Sequence, residues 1–184
     1  IADLPFLSCS KGIDRALDAV QALIQAGASA VKIEGSSHQI DVIKRIVEAG
    51  VPVMGHIGLT PQSIHNLGGH LVQGKEVSEA KKLIDDAILL EQAGCFGVVL
   101  ECIPNKLGAS ISKRVKVPTI GIGAGLHTDG QVLVLHDMIG VDPAFSPKFL
   151  RKYANTNELI TQALDKFHDD VTSECFPAPS ESYE

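Results

Sequence analysis

The sequence predicts an α/β fold, a (β/α)8 TIM barrel whose first two βα units lie outside this chain, followed by C-terminal helices. Three observations point there. Short apolar runs alternate with amphipathic helical stretches about six times along the chain. The runs are apolar nearly end to end, as parallel strands buried on both faces are. Charged and polar residues gather where the runs end, and in barrels that is the face that carries function. A closed barrel needs eight units. The chain starts with Ile, and its first residues already read as the end of a buried strand, so the two missing units are expected before Ile1. The competing architecture is an open doubly wound sheet, but no GxGxxG follows a first strand.

The elements follow in order. Ile1–Pro5 is a short apolar run ending at a turn. Lys11–Ala26 carries Ile13, Ala16, Leu17, Val20, Leu23 and Ile24 on a helical stripe, and Gly27 closes it. Ser29–Glu34 reads as a strand, Gln39–Ala49 as a helix ended by Gly50, and Val51–His56 as the next strand. Ile57–Lys75 is a long loop with Gly and His, and long ordered loops tend to carry function. Glu79–Ala93 is a helix capped by Gly94, Phe96–Glu101 a strand, Asn105–Arg114 a short helix and Val117–Gly123 a strand. Gln131–Leu135 is a further candidate strand. Pro147–Tyr153 and Asn157–Ser173 read as helices, and residues 176–184 as an exposed tail. With no internal repeat beyond the βα unit and no linker, residues 1–184 read as a single, partial catalytic barrel domain.

Composition removes several classes of function. A formal net charge of -6 disfavours non-specific nucleic-acid binding, and 4% aromatic residues without Trp leave little for base stacking. No apolar run is long enough to span a bilayer. Asp3 and Pro5 interrupt the first apolar stretch and no basic segment precedes it, so a cytoplasmic location is the expectation. Cys9, Cys95, Cys102 and Cys175 form no CxxC pair and read as reduced, mostly buried thiols.

The strand ends hold the candidates for chemistry: Asp3, then Lys32 with Glu34, then His56, then Glu101, then the glycines of GIGAG. Lys32 and Glu34 lie two apart, so on a strand both point to one face. A charge there is paired or binds something. One reading is a structural ion pair. The other is a metal and substrate site, with Asp3 and Glu34 as hard oxygen donors suited to Mg2+ and Lys32 opposite a substrate carboxylate. Glu101 follows a fully apolar strand, so its carboxylate is either a partly desolvated base or a loop cap. His56 is a hydrogen-bonded structural residue or a site residue. His65, His70, His127 and His136 lack zinc spacing. GIGAG reads as a tight turn or an anion nest.

Taken together, ADLPF, VKIEG, GHIGLTPQS, LEC with Pro104, IGIGAG, TDGQVLVLHD and PKF resemble the ketopantoate hydroxymethyltransferases in order and spacing. GHIGLTPQS followed by GIGAG and TDGQ is the specific part. The resemblance implies a cytoplasmic, barrel-fold, homo-oligomeric enzyme, commonly a decamer. Such an enzyme uses Mg2+ and 5,10-methylenetetrahydrofolate to convert 3-methyl-2-oxobutanoate to 2-dehydropantoate in pantothenate synthesis. It implies that Asp3 and Glu34 are metal ligands, that Asp3, Lys32 and His56 contact substrate, and that Glu101 is the catalytic base. The apolar residues Leu159, Ile160, Leu164 and Phe167 of the C-terminal helices would suit an oligomer contact or packing on the barrel. The family also has an early Gly-Asp-Ser segment that supplies another metal ligand and a substrate contact. These residues have no counterpart to it, since GxS occurs only at Gly35–Ser37. Two alternatives are a related Mg-dependent barrel that makes or breaks C–C bonds in keto acids, and a truncated, inactive remnant.

Overall fold

In the computed structural model, which describes residues 1–183, six parallel strands form one sheet in chain order. They are β1 (Ala2–Asp3), β2 (Val31–Glu34), β3 (Val53–Gly58), β4 (Gly97–Glu101), β5 (Thr119–Ile122) and β6 (Gly130–Gln131). Between the first five run helices α1 (Ile13–Gln25), α2 (Ile40–Glu48), α3 (Val77–Gln92) and α4 (Asn105–Ser112). A doubly wound sheet reverses its strand order at a switch point. This sheet never reverses, so the open doubly wound alternative is excluded. Right-handed crossovers in an unreversed order place successive helices on the same side of the sheet.

Alternation along the strands divides the sheet into two unlike faces. Val31, Ile33, Val53, Ile57, Val98 and Leu100 face the helices and share one core with Ala16, Val20, Ile43, Ile46, Leu90, Leu107 and Ile111. Leu100, Ile43, Ile46 and Leu90 are fully buried there. The intervening positions Lys32, Glu34, Met54, His56, Val99 and Glu101 belong to the other face, and none of them joins that core.

A parallel neighbour ordinarily needs a crossover of about a dozen residues or more. β5 and β6 are joined by residues 123–129 alone. Asp129 holds that return in place. Its carboxylate accepts the Thr119 N–H at 2.8 Å and the Thr119 hydroxyl at 2.9 Å, which ties the end of the loop back to the start of β5. Gln131 Nε2 donates to the Gly125 carbonyl at 2.9 Å and to Thr128 Oγ1 at 2.7 Å. GIGAG is therefore a tight return, latched by the TDGQ segment that follows it.

The chain divides into two units, Ile1–Val132 and a second that begins at Leu133. The second contains α5 (Leu135–Met138) and α6 (Thr156–Thr172). Asn155 caps α6 by accepting the Glu158 N–H. Leu159, Ile160, Leu164 and Phe167 of α6 are exposed, and α6 has no buried residue. Residues 176–183 are exposed except for half-buried Ala178. No helix among the described residues is long and apolar enough to cross a membrane.

Three expectations change. Gln131–Leu135 is a strand only at Gln131, because β6 ends there and Leu135 already starts α5. Pro147–Tyr153 is not a helix. It forms one turn, Leu150 N–H to Pro147 O at 3.0 Å, while Lys152 Nζ donates to the carbonyls of Asp142 and Pro143. So short a segment cannot nucleate a helix unaided. All four cysteines are free, but only Cys95 is buried and Cys175 is exposed.

The Asp129 tie carries a pH signature. The two Thr119 donors hold its carboxyl below the usual 3.8. The folded state therefore binds this proton less readily than the unfolded chain. The stability it contributes is complete above the unfolded value and is lost as pH falls through the depressed folded value. Asp129→Ala should be less stable than wild type near pH ~6, and that gap should narrow progressively as pH falls below ~4 in urea titrations at several pH values.

Candidate active site

Parallel pairing in register brings the strand-end residues together. Asp3 pairs with Lys32 across β1 and β2, Glu34 with His56 across β2 and β3, and Gly58 with Glu101 across β3 and β4. Registered partners in a parallel sheet point to the same side. All five residues singled out in the sequence thus share the face away from the helices, at the C-terminal ends of their strands.

Their side chains form a continuous series of contacts. Asp3 Oδ1 lies 2.5 Å from Lys32 Nζ. Lys32 Nζ lies 3.2 Å from His56 Nδ1. Glu34 Oε1 approaches the same ring nitrogen at 3.9 Å. On the other side of the ring, His56 Nε2 lies 3.1 Å from Glu101 Oε2. That last approach is close but poorly aligned, and Nε2 has no hydrogen-bond partner. An ammonium can only donate, so Nδ1 accepts from Lys32 and a neutral ring carries its proton on Nε2.

Burial is graded across the cluster. The side chains of His56, Glu34 and Glu101 are 3%, 8% and 15% exposed, that of Lys32 20% and that of Asp3 59%. His56 is enclosed at the centre and Asp3 stands at the open edge. Three carboxylates face one ammonium, so with a neutral imidazole the formal charge is negative. Among the described residues, no three His, Cys, Asp or Glu side chains converge to enclose a metal ion by themselves.

A cavity of about 370 Å³ opens beside Lys32 and Glu34, walled also by Phe6, His38, Gln62 and His65. Asp3, His56 and Glu101 are not among its walls. It adjoins the Lys32–Glu34 half of the cluster, while Glu101 stands on the sheet face.

Glu101 is held by its backbone. Its carbonyl accepts the Leu59 N–H at 2.9 Å. Gly58 makes this approach possible, since it has φ +94° and a Cβ there would fall on the Glu101 carbonyl oxygen. The next residue, Cys102, is left-handed at φ 48° and is pinned by Cys102 N–H to Ile122 O at 2.8 Å and Gln73 N–H to Cys102 O at 2.9 Å. Burial, and then the charge of Glu101, push the Cys102 thiol above its usual range, which disfavours the nucleophilic thiolate.

Gln62 was not singled out from the sequence, although it lies in GHIGLTPQS. Its backbone N–H donates to Glu34 Oε2 at 2.8 Å, and its side chain donates to the Leu4 carbonyl at 2.9 Å. A polar residue just after a Thr-Pro pair in a loop leaving a functional strand was the available signal. Its partners, distant in sequence, were not.

Carboxylates and a lysine gathered at the C-terminal tips of parallel strands, backed by helices on the other face, are the site of a β/α enzyme. The chain belongs to the ketopantoate hydroxymethyltransferase family, whose model matches residues 1–179. It is 50% identical over 184 residues to the 3-methyl-2-oxobutanoate hydroxymethyltransferase of Francisella tularensis subsp. tularensis, covering 100% of this chain and 70% of the relative. The Bdellovibrio bacteriovorus protein of that name is 49% identical over 183 residues, covering 100% and 70%. The Coxiella burnetii one is 51% identical over 178 residues, covering 96% and 67%. Among solved structures, a Burkholderia cenocepacia J2315 protein described as a phosphonomutase aligns at 11% identity and TM-score 0.48 over 93% of this chain and 69% of its own.

Gly58→Ala should cost about 1–3 kcal/mol of stability by chemical denaturation, because the new methyl displaces the β4 end and its left-handed backbone is strained. The same test on Gly12→Ala, where a Cβ meets open space despite a positive φ, isolates the backbone share.

Proposed function

We propose that this protein transfers a hydroxymethyl group to 3-methyl-2-oxobutanoate, with 5,10-methylenetetrahydrofolate as the one-carbon donor, forming 2-dehydropantoate. The observation that carries the reading is the convergence of Asp3, Lys32, Glu34, His56 and Glu101 on one sheet face. The six parallel strands are, in this reading, six of the eight staves of a (β/α)8 barrel, and the face bearing the cluster is its interior.

The donor set suits a divalent ion such as Mg2+. Asp3 and Glu34 offer hard oxygens, and the cluster has more carboxylates than cations. The lack of a closed three-residue cage fits an ion that takes one or two carboxylates and fills its remaining positions with water and substrate oxygens. When bound, the ion would acidify the carbon beside the substrate's keto group. Lys32 supplies positive charge to the substrate carboxylate. Glu101 takes the C3 proton, and the electron pair left on that carbon forms a bond to the methylene group of the donor as one methylene–nitrogen bond breaks. Water then displaces the second nitrogen and supplies the product hydroxyl, and tetrahydrofolate leaves with its two nitrogens protonated by the proton from C3 and one from the water. His56, which accepts from Lys32, orients that ammonium beside the substrate.

Solvent deuterium exchange into 3-methyl-2-oxobutanoate without folate isolates proton removal. With Mg2+ present, the intact protein should exchange the C3 proton, and Glu101→Gln should slow that exchange at least ~100-fold. Exchange by Glu101→Gln at the wild-type rate would eliminate Glu101 as the base.

A further inference from the structure

We propose that Gln62 is a positioning residue that sets the spacing of Asp3 and Glu34, and through it the affinity of the site for a divalent cation. The inference rests on the reading of Asp3 and Glu34 as the cation's carboxylates. Gln62 need not touch the ion or the substrate.

The case begins with β1. It is two residues long and pairs in register with β2, Asp3 opposite Lys32. Immediately after it the chain turns away, and two hydrogen bonds hold Leu4. Its N–H donates to the Lys32 carbonyl at 3.1 Å, which continues the β2 pairing. Its carbonyl accepts from Gln62 Nε2 at 2.9 Å. The second bond comes from the loop after β3, across the top of β2.

The same residue holds Glu34. Its backbone N–H donates to Glu34 Oε2 at 2.8 Å, which leaves Oε1 turned toward His56. Glu34 and the Asp3–Leu4 turn are thus tied to one residue, one by its main chain and the other by its side chain. The main-chain donor is fixed by a single 3-10 turn, Pro61–Ser63, with Pro at its first position. Proline pre-sets that turn, so the Gln62 amide is presented to Glu34 with little freedom left to lose. The side-chain amide spans the remaining gap to β1. Removing it frees the Asp3 end of the site and leaves the Glu34 contact in place.

The test uses Mn2+ as a spectroscopic stand-in for Mg2+, titrated into intact protein and followed by electron paramagnetic resonance of the free ion. Gln62→Met keeps the length of the side chain and loses the donor. It should weaken Mn2+ binding about fivefold and lower the metal-free melting temperature by no more than the ~2–4 °C that one ordinary hydrogen bond accounts for. Gln62→Ala should weaken it at least as much. The decisive measurement is a double-mutant cycle on Mn2+ affinity. In an Asp3→Asn background Gln62→Met should have almost no further effect, whereas a general structural role would lower affinity by the same factor in both backgrounds. Wild-type affinity in Gln62→Met, or equal factors in the two backgrounds, would overturn the assignment. Glu34→Gln separates this failure from that of the parent reading. If the wild type binds no Mn2+, or Glu34→Gln binds it undiminished, the cation site itself is wrong. If Glu34→Gln abolishes binding and Gln62→Met does not weaken it, only the role of Gln62 falls.

Discussion

A parallel strand shows its two faces to two different environments, and in-register pairing copies that division from strand to strand. Everything distinctive about this molecule depends on that constraint. The odd-numbered residues of β2 pack under helices, and the even-numbered Lys32 and Glu34 are thereby committed to the opposite face. Register carries the commitment to Asp3 on one side and to His56 and Glu101 on the other. Charged groups that would be ruinous in the helix-packed core are collected where they can compensate one another or bind a cation.

The GHIGLTPQS segment shows how densely one strand and its loop can serve a site. His56 bridges Lys32 and Glu101, Gly58 lets the Glu101 carbonyl come close, and Gln62 ties Glu34 to the turn after Asp3. Only His56 is a chemically expressive side chain. The other two act through an absent Cβ and through amide geometry. The TDGQ segment is a parallel case: Asp129 anchors the short return between β5 and β6 to the start of β5.

Legibility differed between levels. The βα alternation, the helices α1 to α4 and five of the strands could be read from periodicity, since each stripe or apolar run finds a matching partner. Periodicity failed where the partner was lacking. The alternation of Gln131–Leu135 stops being a strand once β6 ends, and the apolar positions after Pro147 lie in too short a segment to wind a helix. The stripe of α6 was legible as a helix, but its apolar face has no buried residue.

Sequence by itself determined the residue types at the strand tips, their alternation on β2 and the family to which the chain belongs, because those depend on local spacing and on order along one dimension. Tertiary structure decided which tips touch: that His56 lies between Lys32 and Glu101, that Glu34 is held by a main-chain amide from the loop after β3, and that Asp3 lies against Lys32. The physical reason is that register, backbone donors and close approaches at glycine arise only when strands distant along the chain are laid side by side.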